Sequence, residues 1–328
     1  MDAQWWVPPA AAFIISFFTS MVGVSGAFLL LPIQISFLGL TGPAVSATNL
    51  VFNLIAIPAG VYRYWREKRI LWPLALIVVA GTTPGVIAGG FIRLSVLADA
   101  ERFKAFAGCV LLWIGLRMVA DILKSRKQAE TLGPQGEARV RMLKFSVREL
   151  VFEFRQQQYR CSPGGIFMLS LVVGLVGGIY GIGGGAIIAP FFVAIYGLPV
   201  YAIAGATLMG TFATSLVGVG FYQSVAPFFQ AHGMLVAPDW ALGIRFGLGG
   251  IAGMYLGART QRFIPAIYLK IMLATILFGL GLAYIGSYLR MHPRVGYAAL
   301  LYVMAMLAYL WFRRKRSLKA KSRAAAAR

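Results

Sequence analysis

Four glycines occupy the five positions from Gly181 to Gly185, and Pro190 follows closely, all inside a long apolar run from Ile166 to Tyr196. Glycine costs roughly 1 kcal/mol per residue in a helix interior and proline about 3, so this spacing breaks a helix instead of extending it. In lipid, broken backbone is tolerated only where protein buries it or where it lines a cavity. A half-helix starting there presents unpaired N–H groups and a positive dipole end of about half a charge. Such an end can hold a compact oxyanion without a buried cation, and glycine has no side chain to block the approach. Gly183, Gly184 and Gly185 are therefore candidate binding residues. The dinucleotide-like fingerprint within Gly178–Gly185 is discounted, because no soluble βαβ unit surrounds it.

A weaker copy of the stretch lies 158 residues earlier, where Gly23-Val24-Ser25-Gly26 is followed by Pro32. Gly39, Ala47-Thr48 and Trp72 match Gly197, Ala206-Thr207 and Trp240 in the same order. The chain is thus an internal duplication, and Gly23, Ser25 and Gly26 form the other side of the candidate site. Thr48 and Thr207 hold matching positions after the two breaks, with Asn49 and Asn53 on the first of those helices. Each can donate to an oxyanion; the competing reading is a hydroxyl bonded to its own helix, or an amide tying helices together. Thr211, Thr214 and Ser215 read as packing residues. The pairs Gly85/Gly89, Gly253/Gly257 and Gly174/Gly178 also read as packing, since small-xxx-small spacing lets helices approach.

Other chemistries find little support. All ten acidic residues fall in termini, loops or span ends, so the carboxylate that marks a proton relay or cation site is missing at depth. His232 and His292 lie at span ends, and no His/Cys/Asp cluster exists for a metal. Enzymes needing paired carboxylates, a metal or a cofactor are disfavoured. Arg117 and Arg245 are the basic residues expected within spans, snorkelling to the interface; Arg93 falls just past the third span, in an outer loop. Tyr180, beside the break, either gates or packs. Cys109 and Cys161 are expected as free thiols.

These residues must be positioned by membrane helices. The chain is 59% hydrophobic and 12% charged over 328 residues, outside the range of ordinary soluble domains. Nine apolar units follow one another: 5–37, 43–62, 71–92, 103–120, 167–196, 199–229, 240–257, 268–289 and 295–312. A polar, basic connection occupies residues 124–163, in which Val147–Phe154 reads as an interfacial helix. No cleavable signal is apparent, because the first 62 residues contain no Lys or Arg. The net charge of +21 clusters beside apolar spans, where it fixes orientation and meets anionic lipid; nucleic acid is not an expected partner. If all nine units crossed, no orientation would satisfy the positive-inside rule. If the two glycine-broken units are re-entrant hairpins, the ends carrying 24 of the 31 basic residues share the cytoplasmic side.

The expected fold is therefore all-α and polytopic, with two inverted repeats, each a glycine-broken re-entrant hairpin plus three transmembrane helices, and one extra C-terminal helix. Its parts are repeat 1 (1–123), a basic cytoplasmic linker (124–163), repeat 2 (164–290), and the extra helix with a basic cytoplasmic tail (291–328). Inverted repeats with broken helices at the midplane are a common plan of secondary transporters. No ATP-binding signature occurs. The different-class alternative is a membrane scaffold or assembly protein.

GLVGGIYGIGGGAIIAP followed by AGATLMGTFATSLVGVGFY resembles the sulfite exporter TauE/SafE family, also called 4-toluene sulfonate uptake permeases. The resemblance covers roughly residues 13–123 and 164–290; the first half departs from it, with Gly23-Val24-Ser25-Gly26 in place of a fuller glycine triplet. It implies an inner-membrane transporter of bacteria that moves small sulfur-containing anions such as sulfite, sulfoacetate or other organosulfonates, often outward. A carrier of another small organic anion, and a homo-oligomer, remain compatible with it.

Overall fold

The computed structural model describes residues 5–21, 25–36, 38–40, 42–124, 140–154, 157–185, 187–260 and 266–289. The part expected as repeat 1 contains α1 (Val7–Ser20), α2 (Ala27–Ser36), α3 (Ala44–Arg66), α4 (Trp72–Ser95) and α5 (Ala100–Lys124). A three-stranded antiparallel sheet follows, in the order β1 (Val140–Phe145), β2 (Leu150–Phe154), β3 (Gln157–Cys161). The part expected as repeat 2 contains α6 (Pro163–Tyr180), α7 (Ala189–Tyr196), α8 (Val200–Gln230), α9 (Trp240–Thr260) and α10 (Ala266–Tyr288). The expected ninth span and basic tail lie outside the described residues. Among the described residues, five helices are long and apolar enough to cross a bilayer: α3, α4, α6, α8 and α9. Exposed apolar side chains on them include Leu76, Phe91, Val172, Leu216 and Leu248.

The sheet corrects two expectations. The fold is mostly helical but not all-α, and Val147–Phe154 is a turn leading into a strand instead of an interfacial helix. Residues Leu150, Phe152 and Phe154 alternate with period two and are buried. On the sheet Phe152 pairs with Tyr159 of β3, their rings stacked with centroids 5.4 Å apart. Leu150, Phe152 and Cys161 join the same buried cluster as Ile166 of α6, so the sheet is fastened to the helical body.

Glycine contact governs how the helices meet. α6 lies along α4, and α1 lies along α9. A Cβ on Gly174 would stand 2.5 Å from the Thr82 carbonyl, and one on Gly85 would stand 2.7 Å from the Leu175 amide. On the other side, a Cβ on Gly253 would overlap the Phe13 carbonyl, and one on Gly257 the Phe17 carbonyl. Each first helix thus packs on the third long helix of the other repeat through bare backbone. Gly85/Gly89, Gly253/Gly257 and Gly174/Gly178 are packing glycines, as their spacing predicts. The counterpart pairs α3 with α9 and α4 with α8 also touch, as do α5 and α10.

α6 ends at Gly181, a left-handed cap with φ +79 whose N–H returns to the Gly177 carbonyl. The chain then descends beside α6, so that a Cβ on Gly177 would sit 2.7 Å from the Gly183 carbonyl oxygen. At the end of α7 the Tyr196 hydroxyl reaches the foot of α6, 2.6 Å from where a Gly165 Cβ would be. In repeat 1, Gly26 turns back against α1, 3.1 Å from Ile15 and 3.2 Å from the Ser16 hydroxyl by the same measure.

Candidate functional site

The two breaks converge on one face of α3. Asn49 donates through Nδ2 to the Ala27 carbonyl at 2.8 Å, at the first break, and to the Gly181 carbonyl at 3.2 Å, at the second. One turn on, Asn53 donates to the Ile182 carbonyl at 2.9 Å and to the Ser215 hydroxyl at 3.1 Å, and accepts from the Ser25 hydroxyl. Both amides are fully buried. They satisfy carbonyls that a broken helix leaves open, which would otherwise cost several kcal/mol each in an apolar setting. Spacing of i, i+4 puts the two side chains on one face of α3.

The sequence-derived candidates fall into distinct environments. Gly23 lies outside the described residues. Ser25 is buried, engaged with Asn53, and accepts from the Ala27 N–H at 3.2 Å. The Gly26 carbonyl accepts from Leu29 and Leu30 at the start of α2. Gly183 has φ +78, so only glycine adopts it without strain. The Gly184 N–H donates to the Thr214 hydroxyl at 3.0 Å, and a Gly184 Cβ would run into the Thr82 side chain. Gly185 faces the backbone of α8, 2.5 Å from the Thr211 amide by the same measure. The Thr48 hydroxyl donates to the Ala44 carbonyl at 2.8 Å and accepts the Asp239 N–H at 2.9 Å, stapling α3 to the start of α9. The Thr207 hydroxyl donates to the Ala204 carbonyl at 3.0 Å within its own helix.

Several residues emerge only from the packing. Among the described residues, the fully buried hydroxyls of Ser16 and Thr19 on α1 have no hydrogen-bond partner. They flank Gly26, 3.2 and 3.5 Å from where its Cβ would be. Gln34 on α2 donates to the Asn49 Oδ1 at 3.4 Å, and its own Oε1 lacks a partner. The first break therefore gathers orphan polar atoms, whereas Thr211 and Thr214 at the second are bonded to α8 carbonyls. The Tyr180 hydroxyl donates to the Phe28 carbonyl at 3.1 Å and so clamps α6 to α2.

The basic residues are also redistributed. Arg245 is exposed and Arg117 is partly covered, its guanidinium 5.9 Å from the Trp113 ring centroid, as snorkelling predicts. Arg93, expected in an outer loop, instead lies inside α4 and is fully buried. No group of His, Cys, Asp or Glu among the described residues could hold a metal.

The two breaks thus meet at a buried, hydrogen-bonded junction on α3. A protein of Xylella fastidiosa (strain 9a5c) described as a probable membrane transporter protein is 24% identical over 249 residues, spanning 74% of this chain and 80% of its own length. The probable membrane transporter proteins YunE and YjnA of Bacillus subtilis (strain 168) are 22% and 26% identical, over 82% and 78% of this chain and 93% and 91% of theirs. No solved structure matches the chain. The sequence profile described as "Sulfite exporter TauE/SafE" matches residues 9–284, and the chain accordingly belongs to the TauE/SafE sulfite exporter family of membrane transporters.

Proposed function

We propose that this chain is a secondary transporter, working as an exporter, of small sulfur-containing anions such as sulfite, sulfoacetate or other organosulfonates. The observation that carries this reading is the pair of buried, unpartnered hydroxyls, Ser16 and Thr19, set against Gly26 at the first break. Buried donors without partners cost about 1–3 kcal/mol each, a cost that an oxyanion seated between them would offset. In this reading Ser25 and Gly26 take one side of the substrate position, together with Gly23, which lies outside the described residues, and Gly183, Gly184 and Gly185 take the other. Thr48 and Asn49 hold the helices that frame it, and Thr207 lies on α8 against Gly185. With no acidic residue between Glu67 and Asp99 or between Glu153 and Asp239, repulsion of an anion at depth is small.

The return of Tyr196 to the foot of α6 supports a re-entrant reading of the second broken unit; the reading extends to the first by the internal duplication, with repeats 1–123 and 164–290 inverted relative to one another. Residues 124–163, including the sheet, and the tail then face the cytoplasm of a bacterial plasma membrane, where their positive charge meets anionic lipid. Alternating access would proceed by movement of one repeat against the other. Purified protein in liposomes tests the reading. Saturable flux of sulfite or an organosulfonate is expected; flux of carboxylates alone would redirect the substrate, and no flux of any anion would favour a scaffold.

A further inference from the structure

Arg93 is among the largest fully buried side chains of the protein, at 0% exposure. A guanidinium stays charged at any physiological pH, and an ionised group within an apolar bundle is costly unless paired. Among the described residues no carboxylate pairs with it. The acids nearest in sequence are engaged elsewhere: Asp99 accepts the Arg102 N–H at 2.9 Å, and Glu101 pairs with Lys104 at 2.8 Å. Arg93 instead rests its guanidinium carbon 3.8 Å from the Phe103 ring centroid. Its Nε donates to the Ser46 hydroxyl at 3.4 Å and its Nη1 to the Leu97 carbonyl.

Facing it from α8 is Tyr222, 1% exposed, whose hydroxyl has no hydrogen-bond partner. The two groups are close enough to interact electrostatically. The seam between α4 and α8 brings them together: Phe91 and Phe221 rings meet at 4.8 Å, and Leu94, Tyr222 and Ala47 share one buried cluster. Ser46 links this pair to the second break, because its hydroxyl donates to the Tyr180 carbonyl at 3.4 Å, the last residue before Gly181. Among the described residues, a charge with no counter-ion and a donor with no acceptor thus stand together, and Arg93 is linked through Ser46, by two hydrogen bonds, to the residue before the glycine cluster.

We propose that Arg93 and Tyr222 form a second anion subsite, distinct from the first break, that takes the sulfite or sulfonate headgroup. The inference rests on the anion-transport reading. A guanidinium fork matches two oxygens of such a headgroup, and the Tyr222 hydroxyl supplies a further donor to a third. Ser46, already bonded to both Arg93 and Tyr180, would sense occupancy and couple it to the break. Both side chains are closed off here, so the subsite is reached when the seam between α4 and α8 opens during the transport cycle. The competing structural role is a staple, in which Arg93 only ties α4 to Phe103 of α5.

The test uses the full-length protein, purified and reconstituted, with sodium sulfite and sodium methanesulfonate as probes at constant ionic strength. Two readouts are taken, KM for flux and the anion-dependent rise in melting temperature in detergent. The expected result is that Arg93→Gln raises KM at least about tenfold, as loss of a charged hydrogen-bonding partner implies, and abolishes the thermal response. Arg93→Lys should partly restore both, and Tyr222→Phe, which removes one oxygen, should raise KM several-fold. Arg245→Gln, an exposed position, should match wild type. Wild-type KM and thermal response in Arg93→Gln overturn the proposal while leaving anion transport standing. Should Arg93→Gln fail to purify, wild-type values in both Tyr222→Phe and Arg93→Lys overturn it. A wild-type protein that moves no anion, yet melts higher with sulfite unless Arg93 is changed, overturns the transport reading and keeps the subsite. Absence of both flux and thermal response in wild type overturns both.

Discussion

Asn53 donates to the carbonyl of Ile182 at 2.9 Å across 129 residues of sequence, while its Oδ1 accepts from Ser25. One side chain on α3 therefore joins the breaks of the two repeats. Any movement of one break relative to the other must strain or exchange these bonds.

Replacing that amide should reveal the coupling. Asn53→Ala leaves the Ile182 carbonyl and the hydroxyls of Ser25 and Ser215 without their partner, at about 1–3 kcal/mol for each buried group left unsatisfied. A clear fall in melting temperature together with loss of flux is expected in purified protein. Ser25→Ala, which removes only one of those partners, should lose less stability than Asn53→Ala.

The orphan hydroxyls of α1 make the opposite prediction. Among the described residues neither Ser16 nor Thr19 has a hydrogen-bond partner to lose, so Ser16→Ala should melt no lower than wild type. If these hydroxyls donate to the anion, KM should rise about ten- to a hundredfold, the equivalent of one hydrogen bond to a charged group. A wild-type KM in the Ser16→Ala, Thr19→Val double variant would remove the first break from the binding site.

Space decides the glycine variants. At Gly184 an added side chain meets Thr82 and the Gly174 backbone, and at Gly253 it meets the Phe13 carbonyl. Gly184→Val and Gly253→Val should therefore both reduce yield and melting temperature, and any loss of flux in the former includes misfolding. Gly220, exposed on α8 with nothing within 4 Å of its Cβ position, provides the contrast. Gly220→Ala should fold normally, stabilised by up to about 1 kcal/mol through helix propensity.

Cys161 provides a pH-dependent readout of the sheet. Burial pushes its thiol up to about 11, so the reactive thiolate is scarce at pH 7–8. Maleimide labelling of detergent-solubilised Cys109→Ser protein should be slow at pH 7.5 and accelerate as pH rises towards 11. Rapid labelling at pH 7.5 would mean that the sheet is not docked on α6.

Topology is better probed at exposed positions. Val147 in the β1–β2 turn is 92% exposed and Leu235 in the α8–α9 loop 73% exposed. In intact cells expressing variants lacking both native cysteines, an impermeant maleimide should label Leu235→Cys but not Val147→Cys. Labelling of both, or of Val147→Cys alone, would contradict the inverted arrangement.

The sequence by itself determined the helical units and where they break. Hydrophobic length marks a span within a few residues, and four glycines in five positions carry a helix penalty that no neighbour can remove. It also separated packing pairs such as Gly85/Gly89 from the break, because a four-residue spacing places both on one helix face. The short strands between residues 140 and 161 escaped, since LVFEF is only five residues long and its burial depends on cross-strand partners such as Tyr159. Arg93 escaped for a similar reason. One residue past an apolar run looks like a span end until Ser46, Phe103 and Tyr222, each from a different helix, close around it. Asn53 was legible as a polar residue on a helix, but its partners Ile182 and Ser215 lie more than a hundred residues away. Local composition sets local backbone energy, whereas burial and hydrogen-bond partnership belong to pairs distant along the chain, and those only the tertiary structure decided.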